Sequence, residues 1–194
     1  MVSQEIPATD WLGQAAHRPG PRPDPTTVTT ALLDAERRAK RDRLSLAEQT
    51  LLGTWKLRFT APKKSAYKAG QPTGQGFYWP AMAPASISFS RSEQTPTALT
   101  IQNQLQVGPL QLRFSGPAKF LPKKNLLAFD FLRLQLYVGA WRLLNLPIGG
   151  KTASPEAFAT TPIAQLPFFA FFAATDRYLA ARGRGGGLAL WVKG

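Results

Sequence analysis

The sequence predicts a mainly β protein, a closed antiparallel β-barrel preceded by an α-helical segment, and three observations predict it. From Gly53 onward, short runs of alternating apolar and polar residues succeed one another, the period of two that marks strands with one face in a core. Gly and Pro fall between most of these runs, and no internal repeat is visible. Upstream, Val28, Leu32, Ala35 and Ala39 recur at spacings of four and three, which sets them on one stripe of a helix. About eight short strands after a helix favour a barrel over a parallel sheet.

Taken in order, residues 1–25 are rich in Pro, Gly and polar side chains and read as a flexible leader, with Trp11 and Leu12 as the residues able to dock. Residues 26–194 form one domain. Its helix starts after Pro25, with Thr26 or Thr27 as the cap. Ser45 and Glu48 have capping-box spacing, so a break near Arg43–Leu44 and a second short helix are expected. Trp55-Lys56-Leu57-Arg58-Phe59 opens the β region, and a basic, Gly/Pro-rich loop through Gly76 follows it. Further strands are expected at Ile87–Ser90, Leu99–Gln102, Leu105–Val107 and Leu110–Ser115. The last four are expected at Leu126–Val138, Leu166–Ala173, Arg177–Ala181 and Leu188–Lys193.

Composition narrows the chemistry. The chain of 194 residues is long enough for a core that needs no metal or disulfide staple. It contains no cysteine, which removes disulfides, thiolate metal sites, thiol nucleophiles and covalent pigment attachment through sulfur. The single histidine, His17, lies in the leader, a poor place for a catalytic base. Together with the missing cysteines it leaves no His/Cys metal site. Carboxylates in the barrel region reduce to Glu93, Asp130, Glu156 and Asp176, and nothing in their spacing pairs Asp130 with Asp176 as acid and base. Gly183-Arg184-Gly185-Gly186-Gly187 lacks the Gly-Lys-Ser/Thr of a phosphate loop and precedes a strand, so it reads as a hairpin. The expectation is a non-enzymatic protein with no metal.

The net charge of +13 points to a polyanionic partner such as an anionic membrane surface. No run approaches the ~18–20 apolar residues of a membrane-spanning helix, and the N-terminus lacks the pattern of a secretory signal. Candidate membrane-facing cations are Arg37, Arg38, Lys40 and Arg41 on the helix, with Lys63, Lys64, Lys68, Lys123 and Lys124 expected at the barrel rim. Near anionic lipid each contributes ~1 kcal/mol. Two segments are candidate apolar ligand or partner patches. Phe168, Phe169, Phe171 and Phe172 put aromatic bulk on both faces of one strand, which must be buried on both sides or face a partner. Tyr137 and Trp141 belong to a stretch that is either a hydrophobic lip at the barrel mouth or a continued strand ending in an ordinary loop.

Two motifs carry a resemblance. Leu51-Leu52-Gly53-Thr54-Trp55-Lys56-Leu57-Arg58-Phe59-Thr60 resembles the opening strand of the plastid lipid-associated protein (fibrillin) family, and Asp176–Leu188 resembles its closing segment. The likeness extends over about residues 28–194, in pattern alone between the motifs. Arg184 stands where the family usually has an acidic residue, and Ala180 where it commonly has Arg. The resemblance implies a lipocalin-like fold in which Gly53, Trp55, Arg182 and Gly183 close the barrel, with a guanidinium across the indole. It also implies non-covalent binding of a carotenoid, quinone or other lipid, with no covalent cofactor. The implied site is the cytoplasmic or stromal side of a thylakoid, in a cyanobacterium or plastid. Binding a photosynthetic complex as an assembly or scaffold factor is the alternative, and nucleic acid is the least favoured partner.

Overall fold

The computed structural model describes residues 10–17, 21–63, 65–68, 71–92, 98–152 and 154–194. Helix α1 spans Trp11–Ala16, and α2 spans Pro25–Arg41. Strands β1 Gly53–Ala61, β2 Ala66–Lys68, β3 Gln71–Thr73, β4 Phe77–Tyr78, β5 Ala85–Arg91, β6 Leu99–Val107, β7 Leu110–Leu121 and β8 Leu126–Phe129 follow. The remainder is β9 Arg133–Val138, β10 Trp141–Pro147, helix α3 Pro155–Thr160, β11 Phe168–Ala174, β12 Tyr178–Gly183 and β13 Leu188–Lys193.

Eight antiparallel strands close a barrel of lipocalin-like type in the order β1-β5-β6-β7-β8-β11-β12-β13, with β13 returning to β1. Residues facing inward alternate with outward ones, as the period of two requires. Trp55, Ile87, Phe89, Ile101, Leu127, Phe171, Leu179 and Trp191 meet inside. A bulge in β1 between Leu57 and Phe59 and another in β11 between Phe171 and Ala173 shift the alternation. Phe59 therefore faces outward, as does Phe172 beside the inward Phe171, into a second core shared with α1, α2, Tyr178, Leu188 and Leu190.

Helix α2 begins with Asp24, whose carboxylate accepts from the backbone N–H of Thr26 and Thr27; Pro25 is its first residue. The capping role thus belongs to Asp24 rather than to either threonine. Val28, Leu32 and Ala35 are buried on the barrel wall as the stripe predicts. The helix stops at Arg41, and only a single 3-10 turn, Glu48–Leu51, follows. No side chain caps that turn; Glu48 pairs with Arg91 instead. Asn125 then ties Leu44–Leu46 across the bottom of the barrel, accepting from the Leu46 N–H and donating to the Leu44 carbonyl.

Three expectations change. Residues 10–17 of the leader are ordered: Asp10 caps α1, and Leu12 and Ala15 are buried against α2 and the barrel. The loop after β1 contains the hairpin β2–β3, held to α2 because Tyr67 donates to Asp34 and stacks under Arg37. Burial and that hydrogen bond push the Tyr67 hydroxyl up to about 12. The strand expected over Leu126–Val138 is two strands with different partners: β8 closes the barrel and β9 leaves it.

The break sits at Asp130. Its N–H donates to the Pro117 carbonyl and the Leu132 N–H to the Ser115 carbonyl, while its carboxylate accepts from Phe131 and from both the N–H and hydroxyl of Thr152. A Cβ at Gly116 would overlap the Asp130 carbonyl oxygen. Gly116→Ala is expected to cost about 3 kcal/mol by forcing this crossing apart, read as a lower urea midpoint.

Arg182 joins helix to barrel. Its guanidinium grips Glu36 through two bonds of 2.9 and 2.6 Å and also donates to the Ser65 and Gly186 carbonyls. Burial pushes the Glu36 carboxyl up, but Arg182 and Lys40 outweigh it and hold the group below its ordinary value of 4.5. The stabilisation is therefore complete above that value and lost as pH falls through the lower folded one. Glu36→Gln should lower stability by roughly 2 kcal/mol at pH 7. The gap between the two urea curves should close in acid, below about pH 4.

Candidate functional site: the barrel mouth and its sheet extension

The barrel is filled at one end and open at the other. Toward the closed end, Trp55, Phe89, Ile101, Leu127 and Phe171 are each at most 4 % exposed. Their aromatic rings continue a chain of contacts: Phe89 meets Phe171 at 6.1 Å, Phe169 meets Trp191 at 5.4 Å, and Phe169 stacks on Phe129 at 5.0 Å. Above this plug lies a cavity of about 330 Å³, lined by Leu57, Trp79, Ile87, Asn103, Leu105, Leu112, Phe114, Phe169, Ala189 and Trp191. Thr60, Ser86, Asn103 and Gln104 also line it, and of these Asn103 shares the inward parity of Ile101, so its amide can orient a ligand carrying a polar group.

The wall of the cavity does not end at the mouth. β6 and the N-terminal half of β7 run on past the barrel and pair with β9, which pairs with β10. Facing residues in paired strands share a face. The registers Leu105–Leu112–Leu136–Leu144 and Val107–Leu110–Val138–Trp141 therefore make one apolar face. It has the same parity as Ile101 and Ala118 inside the barrel. The opposite face carries Gln104, Arg113, Gln135 and Asn145. Every residue of β10 is exposed, and Trp141 is 78 % so. Among the described residues, most of the exposed large apolar side chains lie on this extension, Met82 and Phe77 being exposed elsewhere.

The expected site residues separate accordingly. Phe169 and Phe171 face the barrel interior, Phe172 lies under α2, and Phe168 packs near Phe158 and Leu166 beside α3. The four Phe are thus a two-sided core strand, not a free patch. Tyr137 and Trp141 lie on opposite faces of the extension: Tyr137 sits under the Arg113 guanidinium at 4.9 Å, and Trp141 faces the apolar side. Trp55 is fully buried, as barrel closure implies, but its cation is Lys193, 4.2 Å above the ring. Arg182 cannot serve because it is on the outward face of β12, bound to Glu36. Gly53 adopts φ +116, and a Cβ there would lie 2.6 Å from the Lys193 amine. Gly183 opens the β12–β13 turn, as expected.

The basic residues do not form one rim. Arg37 and Arg38 ride on α2, across the barrel from the extension. Lys40 pairs with Glu36 and Arg41 with Asp42. Lys123 and Lys124 occupy the β7–β8 turn at the closed end, where with Lys40 and Arg43 they line a groove of about 380 Å³. Lys63 is exposed beside the β12–β13 turn on the mouth side, and Lys64 and Glu93 lie outside the described residues. The reversal of Lys123 and Lys124 follows from the direction of β7, whose C-terminus points away from the mouth.

His17 is ordered as the C-cap of α1 and, with Asp176, Lys56 and Lys193, lines a groove of about 440 Å³ outside the barrel. Asp130 is committed to Thr152 and does not line that groove. Among the described residues, no three His, Asp or Glu side chains gather as a metal site would require, and no helix is long and apolar enough to cross a membrane. No family model matches the chain, and no curated protein matches it.

The plug and the extension should respond oppositely to truncation. Phe171→Ala removes a buried ring and should cost about 3–5 kcal/mol. Trp141→Ala removes a larger ring from an exposed strand and should stay within about 0.5 kcal/mol. Chemical denaturation of both variants checks the contrast.

Proposed function

We infer that the protein holds a hydrophobic molecule, one end seated in the barrel mouth and the rest lying along the sheet extension, and that it works at a membrane surface without catalysing a reaction. The observation that carries this is the continuity of the apolar cavity wall with the exposed apolar face. A volume of about 330 Å³ is at the low end of the ~300–1,000 Å³ of ligand pockets, so it takes a ring or a short chain segment rather than a whole isoprenoid. Apolar area removed from water contributes ~25 cal/mol per Å². Asn103 favours a ring bearing a carbonyl or hydroxyl. The resemblance of Leu51–Thr60 and Asp176–Leu188 to the plastid lipid-associated proteins supports a quinone, carotenoid or related lipid as cargo, and a thylakoid as the membrane.

The rival reading is a scaffold that binds a photosynthetic complex through its Phe-rich strand and helix. It is less favoured because Phe171, Phe172, Leu32 and Leu33 are consumed by the cores.

Titration with a short-chain benzoquinone, followed by tryptophan quenching, tests the ligand reading, because Trp79 and Trp191 line the cavity. Wild type should quench saturably. Ala189→Phe, which fills the mouth, should weaken binding at least about tenfold, or 1.4 kcal/mol. An organic extract of the native protein should carry a stoichiometric isoprenoid. A pigment- and quinone-free extract, together with no quenching from folded protein, would exclude the reading.

A further inference from the structure

Resting on the ligand reading, we propose that the β9–β10 hairpin is the membrane-docking element, seating the apolar face of the extension in an anionic bilayer so that the barrel mouth opens onto the acyl chains. Trp141, Leu143, Leu144 and Leu146 are 78, 58, 43 and 45 % exposed on a strand with no outer neighbour. An exposed apolar edge strand of this kind invites non-specific pairing, and seating it in lipid removes that hazard.

Charge selects the occupant. Strands β6, β7, β9 and β10 carry Arg113, Lys119, Arg133 and Arg142 and no acidic residue. The extension itself has Arg113, Arg133 and Arg142 on its polar face. A sheet lying at the headgroup boundary buries one face among acyl chains and leaves the other at phosphate level, as an amphipathic helix does. Arginine stems extend to the headgroups from there, and Trp141 suits the interface.

Area argues against a second copy. Four strands ~4.8 Å apart and about six residues long present roughly 300–400 Å², half of the ~800 Å² each partner buries in a stable complex.

The test is co-flotation of the full chain, without added ligand, on phosphatidylcholine vesicles with and without about a third phosphatidylglycerol. Wild type should bind the anionic vesicles, more weakly as salt rises. Trp141→Glu with Leu144→Glu should weaken binding at least about tenfold, as should Arg133→Glu with Arg142→Glu. Lys123→Glu with Lys124→Glu, at the closed end, should leave it unchanged. Quinone quenching in lipid-free buffer should survive in the Arg133/Arg142 and Lys123/Lys124 variants, which separates docking from cargo binding, and urea midpoints within about 0.5 kcal/mol of wild type should report an intact barrel in all three. Brominated lipid should quench wild-type fluorescence, and Trp141→Phe should lose much of that quenching. Wild-type binding by the Trp141/Leu144 variant, detachment of the Lys123/Lys124 variant, or brominated-lipid quenching unaltered in Trp141→Phe would each overturn the proposal. So would a wild-type dimer that Trp141→Glu converts to monomer with vesicle binding intact.

Discussion

The architecture depends on how one strand divides its hydrogen bonds. β7 is twelve residues long and gives most of one edge, Leu110–Ala118, to β6. Its other edge has two claimants: Ala118–Leu121 pair with β8, and Leu110–Ser115 pair with β9. A strand has only two edges, so each backbone group of β7 bonds either within the barrel or within the extension. Where the first choice holds, the barrel closes. Where the second holds, it stays open, and the wall runs on as a free sheet. The boundary is fixed by Asp130, whose backbone continues the pairing to Pro117 while its carboxylate holds Thr152, and by Gly116, which makes room for the crossing.

That division explains why the barrel is only half filled. At the β8 end, all the strands are in register around a closed circumference, so the inward aromatics and aliphatics meet from every side and exclude water. At the β9 end, the strand that should complete the circle has turned away. Phe114, Leu112 and Leu105 then face a gap rather than an opposite wall. Such an arrangement leaves apolar surface in water, an unfavourable state unless something covers it. The stability of the fold comes from elsewhere, from the plug and from the second core beneath α2.

Much of this was legible in the residues, and what was not has physical causes. Alternation placed β1, β5, β6, β7, β11, β12 and β13 because each buries one face or both. The stripe on α2 and the division of the Phe strand between two faces followed from the same reasoning. Periodicity cannot show with whom a strand pairs. Leu126–Val138 therefore read as one strand, although its halves serve different sheets. Nor does it foresee bulges, such as the one in β1 that turned Phe59 outward. Charge read from sequence has no position, so Lys123 and Lys124 were expected at the rim although the direction of β7 puts them at the closed end. The cation over Trp55 was missed for a related reason: Lys193 shares its cross-strand register, but register emerges only when the sheet is formed.

The distribution of charge sharpens the contrast between the two sides of the molecule. On the helix side, cations are tied up within the protein: Arg182 and Lys40 share Glu36, Arg41 meets Asp42, and Arg37 lies on Tyr67. Those contacts fasten α2 to the barrel. On the extension side the sequence supplies no carboxylate on any of the four strands, and Arg113 and Arg133 meet neutral amides and an aromatic ring. A neutral partner orients a guanidinium without cancelling its charge. The same segment therefore combines an uncovered apolar face with an uncancelled positive one. A protein interior could accept the first and an aqueous anion the second, but an anionic bilayer surface satisfies both at once.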